Sequence, residues 1–496
     1  MPTPAPRLRM VRIADSTSSL RRCWRCTSQR ALRPSVVVLT AVDGSRYSRY
    51  LLPSVSHKCR QRSRRPVVPN NLPRRAAVLG GNRIPFARQF GPYAEASNQD
   101  MFTAALDGLV ARYNLSGKHL DEVVGGAVIK HSRDFNLTRE SVLGSALAPT
   151  TSAYDLQQAC GTGLEAAILV SNKIKLGQIE SGAAGGVDTA SDAPIMVTES
   201  LRKKLLGVNR AKGGKARALA LARVRPTDLG ISTPANVEPR TGLSMGEHMA
   251  ITAKKWGITR EAQDQLAVNS HKNLARSYDE GFHDDLVTSF MGLSKDQNLR
   301  PDSSMEKLAR LNPVFGKGDG ATMTAGNSTP LTDGASVVLL GSEEWAAEQG
   351  LTPLAWFVDG QAAAVDYVHG AEGLLMAPAY AIPRMLERNG LTLQDFDYYE
   401  IHEAFAATVL STLKAWEDED WCREKLGRDS ALGSIDRDKL NVNGSSLAAG
   451  HPFAATGGRI VASLAKTLHA KGPGSRGLIS VCAAGGQGVV AILEGA

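Results

Sequence analysis

The sequence predicts an α/β protein, because short β-type runs alternate with helical patterns from Arg75 to the C-terminus. A second block of the same texture begins at about Leu351. The length of 496 residues also exceeds what one hydrophobic core usually organises. We therefore expect two packed units. No apolar run approaches the roughly 20 residues that span a bilayer, so no transmembrane segment is predicted.

The elements of the first unit are predicted from the spacing of apolar residues. Residues 76–81 and 123–129 indicate buried strands, with a helix over residues 101–113 between them. Residues 183–187 indicate another strand, and residues 191–300 are longer, more charged and less regular, which predicts an inserted loop domain. The predicted divisions are an extension over residues 1–74, an N-terminal domain over 75–345 that includes the insertion, and a C-terminal domain over 346–496.

The N-terminal extension is strongly basic. Its first 73 residues hold 15 Lys and Arg against Asp15 and Asp43, a net charge of +13, whereas the whole chain carries +9 and the remainder −4. Few acids, many serines and no apolar period predict a disordered segment. Such a segment is typical of a mitochondrial transit peptide, and translated sequence upstream of the true start has the same composition. A basic arm that binds nucleic acid or a membrane surface is an alternative of a different class.

The six cysteines, at positions 23, 26, 59, 160, 422 and 482, are scattered through the chain. This pattern lacks the density of a disulfide-stapled secreted domain and favours a reducing compartment. Cys23 and Cys26 have the spacing of half a zinc site, but no second pair of ligands follows at a suitable distance. We therefore predict no metal site.

Four segments place a reactive side chain beside glycines at the junction of a strand and a helix. In residues 157–163, Cys160 opens a helix whose N-terminal partial charge is expected to favour the thiolate and lower the pKa of the thiol. His451 lies before Pro452 at the mouth of another helix, where an imidazole suits general-base chemistry near neutral pH. A purely structural role in the core or in a turn is the alternative for each residue.

The other two segments carry a second histidine and a second cysteine. His402 is expected to head an amphipathic helix. Cys482 ends a predicted strand and precedes the glycine turn of residues 483–488, after which a return strand is predicted. Such a turn can aim backbone N–H groups at one point, and a thiol at its edge can exchange protons with a substrate.

Taken in chain order, the four segments resemble the four catalytic loops of the thiolase family. They match its nucleophilic-cysteine loop, its NEAF loop, its GHP loop and its C-terminal CxG loop, and residues 256–264 and 326–335 add further matches. The resemblance covers about residues 75–496. It implies a thiolase fold, in which two similar αβαβα halves form a five-layered core with an inserted loop domain, and a homodimer or a tetramer.

The resemblance also implies acyl transfer through a covalent cysteine intermediate. Cys160 is then the nucleophile, His451 the base, and Cys482 the acid and base for the departing and incoming groups. His451 and His402 are expected to form one oxyanion hole, and the N–H groups of Cys160 and Ala484 the other. This sequence departs from the family pattern twice, since His402 replaces the usual Asn and Ala484 replaces the usual Gly.

For coenzyme A, the resemblance suggests Ser244 and Met245 beside the pantetheine path, Thr329 as a hydroxyl contact and Phe405 beside the thioester. Coenzyme A is a substrate here, and no tightly bound cofactor is expected. A basic cluster in the insertion is a candidate for binding its phosphates, with a solvated loop or a membrane or partner contact as alternatives. The members of this cluster are Arg202, Lys203, Lys204, Arg210, Lys212, Lys215 and Arg217.

His402 and the CAAGGQG ending are similar to the β-subunit branch of the trifunctional enzymes and its bacterial relatives. This similarity favours cleavage of 3-ketoacyl-CoA in fatty-acid β-oxidation over a biosynthetic acetoacetyl-CoA thiolase. A β-ketoacyl synthase and a catalytically silent binding protein are further alternatives. The branch suggests a partner chain with hydratase and dehydrogenase activities. No nucleic-acid partner is expected. We expect a cytoplasmic bacterial protein, or a mitochondrial matrix protein if residues 1–74 are a transit peptide.

Overall fold

The computed structural model describes residues 74–496, except for residues 317, 319 and 371. Residues 1–73 lie outside the described residues. The predictions that fall on them are the basic arm, its origin as a transit peptide or as sequence upstream of the true start, and the zinc half-site spacing of Cys23 and Cys26. None of the helices in the described part combines the length and the apolar character needed to cross a membrane.

The strands of the described residues form one large sheet and two small pairs. Their bounds are β1 (Ala76–Arg83), β2 (Ala87–Arg88), β3 (Glu122–Gly125), β4 (Ser152–Asp155), β5 (Ser181–Asp188), β6 (Met196–Val197), β7 (Ile231–Ser232), β8 (Pro313–Phe315), β9 (Met323–Thr324), β10 (Thr332–Ser342), β11 (Ala355–Ala364), β12 (Tyr398–Ile401), β13 (Arg476–Ala483) and β14 (Gln487–Gly495).

The helices alternate with these strands, and short 3₁₀ turns lie at Ser132–Asp134, Pro226–Asp228, Arg437–Lys439 and Phe453–Ala455. The α-helices are α1 (Asn98–Arg112), α2 (Leu137–Gly144), α3 (Thr162–Lys175), α4 (Glu199–Arg210), α5 (Gly214–Leu221), α6 (Met245–Lys255), α7 (Arg260–Asp279), α8 (Met305–Ala309), α9 (Glu343–Gln349), α10 (Ala377–Asn389), α11 (Ala406–Glu417), α12 (Glu419–Leu426), α13 (Ser446–Ala449) and α14 (Thr456–Lys471).

The large sheet has the strand order β12-β13-β14-β11-β1-β10-β5-β3-β4, with β2 beside β10. Pairs β3–β4, β3–β5 and β12–β13 are parallel, and the other pairs along this order are antiparallel. The two halves of the sheet join only between β1 and β11, where Ala77 faces Trp356 and Val78 faces Ala355. The sheet therefore consists of two units with a narrow connection.

Helices α3 and α14 form a common core with both halves of the sheet. On β14, Val489 and Ala491 belong to this core, whereas Val490 and Ile492 pack with α10 and α11. On β10 the same alternation divides the side chains between this core and α1. Because successive strand residues point to opposite faces, both faces of each half are covered. The layers are helix, sheet, helix, sheet and helix, which confirms the expected fold class.

Most of the element predictions are confirmed, but the strand predicted over residues 123–129 ends at Gly125. The backbone N–H groups of Val128 and Ile129 donate to the carboxylate of Asp188 (2.9 and 2.8 Å) and not to a neighbouring strand. A side chain thus ends this strand, and apolar spacing does not reveal it. The domain limits at residues 74, 345 and 346 stay predictions.

The N-terminal ends of α3 and α14 touch backbone to backbone. A Cβ atom added at Gly457 would lie 2.1 Å from the backbone nitrogen of Leu164 and 2.7 Å from the carbonyl carbon of Gly163. One added at Gly163 would lie 2.6 Å from the carbonyl oxygen of Ala454. Only glycine permits this approach. It brings together the residues that precede the two helices.

We predict that Gly457→Ala lowers the free energy of unfolding by about 2 kcal/mol or more, because the added methyl group meets backbone atoms that cannot rotate away. Gly207, in the exposed helix α4, has no heavy atom within 4 Å of an added Cβ atom. Gly207→Ala should therefore raise the free energy of unfolding by about 0.4–1 kcal/mol through loss of freedom in the unfolded chain. Urea denaturation measures both changes, and a Gly457→Ala protein as stable as the wild type would contradict the close helix contact.

Candidate active site

Cys160 lies in the turn between β4 and α3. The hydroxyl of Thr162 closes this turn, because it accepts from the N–H of Gln158 (2.9 Å) and donates to the carbonyl of Ala159 (2.7 Å). Ala159 has a φ of 47°, a left-handed conformation that costs a residue with a side chain about 1–2 kcal/mol. The strained turn leaves the Cys160 side chain in the interior, where the residue is 2% exposed.

His451 lies between α13 and the 3₁₀ turn that precedes α14. Its backbone N–H donates to the hydroxyl of Thr332 (2.7 Å), which fixes the loop. Its Nδ1 lies 2.6 Å from Thr456 Oγ1, at the first position of α14. Its Nε2 lies 3.1 Å from Cys160 Sγ. The imidazole is held at one nitrogen by α14 and faces the thiol with the other.

His402 lies in the loop between β12 and α11. The prediction that it heads an amphipathic helix is wrong, because α11 begins only at Ala406 and is buried over nearly its whole surface. The N–H of His402 donates to the carbonyl of Ser480 on β13 (2.8 Å). Its Nδ1 lies 2.8 Å from Ser446 Oγ, and its Nε2 lies 3.3 Å from His451 Nε2. The two imidazoles and the Cys160 thiol therefore form one contiguous group.

Cys482 and Ala484 lie at the turn between β13 and β14. The backbone N–H groups of Ala484 and of Cys160 favour the charged form of the Cys160 thiol and lower its pKa. Burial raises the pKa of the Cys482 thiol, and the nearby Cys160 raises it further. The N–H of Gly485 donates to Glu238 Oε1 (3.0 Å), which fixes the turn. The structure thus brings together all five residues that were predicted to be catalytic.

The expected lowering of the Cys160 pKa by the N-terminus of α3 is wrong, because the pKa is raised. Burial raises the pKa of Cys160 to about 12 and outweighs the N–H groups that favour the charged form. Burial also lowers the pKa of His451 to about 3, with a further contribution from the Arg459 guanidinium. The pKa of His402 is lowered well below its ordinary value by burial, by His451 and by Arg459. At neutral pH the site holds a neutral thiol against a neutral imidazole.

A cavity of about 450 Å³ opens onto Cys160. Its wall includes Met245, Glu238, Phe453 and Ala484. A larger cleft of about 1000 Å³ lies beside α7 and residues 437–443, but none of the four reactive side chains lines it. We therefore assign the candidate active site to the smaller cavity.

Of the four residues expected to contact coenzyme A, Met245 lines the cavity at Cys160. Ser244 accepts from the backbone at the start of α6 and lines a neighbouring cavity. The hydroxyl of Thr329 donates to the carbonyl of Ala404 (3.0 Å), so this contact holds the His402 loop. Phe405 is buried beside the same loop. The four residues surround one region, but only one of them faces the thiol cavity.

The basic cluster lies on α4, on α5 and between them, and much of it is exposed. Arg202 and Lys203 pair with Glu199, and Lys204 pairs with Asp228. These ion pairs engage three members of the cluster within the inserted segment itself, with two carboxylates for three cations. For those three residues the solvated-loop interpretation is favoured.

Sequence reasoning missed the buried carboxylates that hold the catalytic loops. Asp188 accepts from the N–H of Ala454 (2.8 Å), just after His451. Glu403 accepts from the N–H of Leu447 (3.2 Å) and therefore ties the His402 loop to α13. Glu403 stands inside the motif around His402, a signal that could have found it, whereas no local pattern marks Asp188 or Glu238.

We predict that Cys160 contributes no thiolate absorbance at about pH 7 in the free protein. A raised thiol pKa keeps the proton on sulfur at neutral pH, so the thiolate should appear only in alkaline solution. The measurement is the ultraviolet difference spectrum of wild type and Cys160→Ala as a function of pH. A thiolate band at neutral pH that disappears in acid would show instead that Cys160 and His451 form an ion pair.

Comparison with known protein families matches nearly all of the described chain. The model of the thiolase N-terminal domain matches residues 76–344, and that of the thiolase C-terminal domain matches residues 351–495. Proteins of Yersinia enterocolitica and Serratia proteamaculans, both named 3-ketoacyl-CoA thiolase, are 39% and 40% identical to this chain. Each similarity extends over 426 residues and covers 85% of this chain and 97% of the relative.

Two solved structures are similar to this one. An acetyl-CoA acetyltransferase of Bacillus anthracis has a TM-score of 0.70 and 30% identity, covering 86% of this chain and 100% of its own. The human mitochondrial 3-ketoacyl-CoA thiolase, solved in complex with CoA, has a TM-score of 0.70 and 26% identity, covering 86% of this chain and 99% of its own. Together with the site around Cys160, these matches show that the chain is an acyltransferase that belongs to the thiolase family.

Proposed function

We propose that this protein is a 3-ketoacyl-CoA thiolase, which cleaves a 3-ketoacyl-CoA with coenzyme A into acetyl-CoA and a shortened acyl-CoA in fatty-acid β-oxidation. The observation that carries the proposal is the 3.1 Å contact between Cys160 Sγ and His451 Nε2 beside a cavity that reaches the thiol. The names of the bacterial relatives and of the human mitochondrial structure support the substrate class.

In the first half-reaction, His451 Nε2 takes the thiol proton as the sulfur of Cys160 attacks the 3-keto carbon. The Cα–Cβ bond then breaks, the acyl group stays on sulfur as a thioester, and the electron pair leaves with the enolate of acetyl-CoA. The neutral thiol and the neutral imidazole suit this order of steps. Before the substrate arrives, the site does not have to bear the cost of burying a thiolate and an imidazolium.

Cys482 serves as the acid and then as the base. Its thiol is protonated at rest because burial raises its pKa, so it can first protonate the enolate carbon of acetyl-CoA. The resulting thiolate then takes the proton of the incoming coenzyme A thiol, whose sulfur attacks the acyl-enzyme. The acyl group leaves on coenzyme A, and His451 returns its proton to Cys160.

The two oxyanions need separate donors. The N–H groups of Cys160 and Ala484 favour negative charge at the Cys160 sulfur, so we assign them to the tetrahedral oxygen that forms on the attacked carbon. His402 Nε2 and His451 Nε2 lie 3.3 Å apart and are assigned to the thioester oxygen of the acetyl-CoA unit. The methyl group of Ala484 leaves its N–H in place and narrows the cavity.

The pantetheine chain is proposed to reach Cys160 past Met245, which lines the cavity. Ser244, at the start of α6, and Phe405, beside the His402 loop, would flank this path. Thr329 would contribute mainly by holding that loop, since its hydroxyl already donates to Ala404. Of the basic cluster, residues 210–217 remain candidates for the coenzyme A phosphates.

We predict that Cys160→Ala lowers kcat for thiolysis by at least about 10³-fold, because the covalent intermediate cannot form. Cys482→Ala should lower kcat by about 10²–10⁴-fold, as expected for loss of a general acid and base. Cys422→Ala is the matched control, since Cys422 is buried in α12 away from the cavity and its loss should leave kcat unchanged. Mass spectrometry should find an acyl adduct on Cys160 when coenzyme A is withheld.

We predict that a long-chain 3-ketoacyl-CoA has a higher kcat/KM than acetoacetyl-CoA, as a degradative thiolase requires. The measurement is the coenzyme A-dependent loss of the Mg²⁺-enolate absorbance, for the whole chain and for a chain lacking residues 1–73. Activity on acetoacetyl-CoA alone would indicate the biosynthetic alternative. A folded protein inactive on both substrates would favour a synthase or a silent binding protein.

Assembly is proposed from the resemblance to the thiolase family, and location from the bacterial relatives. We infer a homodimer or a tetramer, with a hydratase and dehydrogenase chain as the partner that the branch indicated by His402 suggests. The bacterial relatives favour the cytoplasm, and the mitochondrial matrix applies if residues 1–74 are a transit peptide. Size-exclusion chromatography with light scattering measures the oligomeric state directly.

A further inference from the structure

A chain of hydrogen bonds runs from the buried Arg459 to the reactive thiol. Arg459 Nη2 on α14 donates to Ser446 Oγ (3.2 Å), and Ser446 Oγ lies 2.8 Å from His402 Nδ1. His402 Nε2 then lies 3.3 Å from His451 Nε2, which lies 3.1 Å from Cys160 Sγ. Each of these five residues is no more than 5% exposed, so these hydrogen bonds are buried.

The direction of each hydrogen bond follows from the donor inventory of these side chains. A guanidinium can only donate, so Ser446 Oγ accepts from Arg459. In the described part of the chain, the Ser446 hydroxyl has one acceptor within hydrogen-bond distance, which is Nδ1 of His402. If Nδ1 of His402 carried a proton, Ser446 would receive two donors and its own buried O–H would lack an acceptor. Ser446 therefore donates, and the His402 proton lies on Nε2.

We propose that Ser446, polarised by Arg459, is a positioning residue that fixes the Nε2-protonated tautomer of His402. The proposal rests on the function proposed for His402 above. An oxyanion hole needs a donor, and this tautomer supplies the N–H that a substrate oxygen would accept. In the usual family pattern an Asn stands at this position, and its amide always carries its protons on nitrogen. A tautomer has to be selected here because His402 replaces that Asn.

The same tautomer also keeps His451 competent as a base. The Nε2–H of His402 and the S–H of Cys160 both face the single lone pair of His451 Nε2, which accepts from one of them at a time. Both donors require a lone pair on His451 Nε2, which places the His451 proton on Nδ1, toward Thr456 Oγ1. If the His402 proton lay on Nδ1 instead, the lone pairs of His402 Nε2 and His451 Nε2 would face each other and repel. A proton on His451 Nε2 would relieve this repulsion, but His451 could then no longer accept the thiol proton. Ser446 therefore acts on Cys160 through two rings.

The test compares Ser446→Ala with Ser446→Thr, which keeps a hydroxyl, and with Ser445→Ala as the matched control. Ser445 Oγ also accepts from Arg459 Nη2 (3.1 Å) but does not contact His402. We expect Ser446→Ala to lower kcat for thiolysis about tenfold with little change in KM, the effect of losing one buried hydrogen bond. Ser446→Thr and Ser445→Ala should keep most of the activity.

The tautomer itself is read by ¹⁵N NMR of histidine-labelled protein, with the His402 signals identified by their loss in His402→Asn. We expect an Nε2-protonated ring in wild type and a mixture of tautomers in Ser446→Ala. An unchanged Nε2-protonated ring in Ser446→Ala would overturn the proposal, whatever the activity of that variant and even if it is less stable.

The function proposed for His402 fails by a different result, which is full activity in both His402→Asn and His402→Ala. The two failures are therefore distinguishable.

Discussion

The contact between the N-terminal ends of α3 and α14 is the constraint on which the site depends. Cys160 precedes α3 and His451 precedes α14, and 291 positions of the chain separate them. Their side chains meet at 3.1 Å because the two helices touch at Gly163 and Gly457 without intervening side chains. A larger residue at either position would meet backbone atoms at the end of the other helix and push the two helix ends apart.

Buried carboxylates complete what the helix contact begins. Asp188 holds the loop after His451, Glu403 ties the His402 loop to α13, and Glu238 holds the turn after Ala484. Each accepts from backbone N–H groups that no strand or helix would otherwise satisfy, so the loops are as firmly hydrogen-bonded as regular structure. The loops that carry the proposed catalytic residues are therefore positioned by buried side chains behind them.

The site combines deep burial with a lack of resting charge. Burial raises the pKa of both thiols and lowers the pKa of both imidazoles, and the positive charge of Arg459 acts on the imidazoles in the same direction. A proton then moves only when a substrate supplies new charge and new hydrogen-bond acceptors. The backbone N–H groups at Cys160 and Ala484 become more effective in this dry environment, since fewer water molecules compete with them.

The sequence by itself determined the fold class and most of the element order, and it singled out the four side chains proposed to react. Apolar spacing marks α1, β1 and β5, and the glycine-flanked motifs mark Cys160, His402, His451 and Cys482, because these signals are local. It could not determine the charge state of Cys160. The helix that follows Cys160 can be predicted from the sequence, but the burial that outweighs the electrostatic effect of this helix cannot.

The end of β3, the carboxylates behind the loops and the link from Arg459 to His402 were likewise decided only by the tertiary structure. They depend on contacts between residues far apart in the chain, such as Ser446 with His402 and Asp188 with Ala454, and no local pattern encodes such pairs.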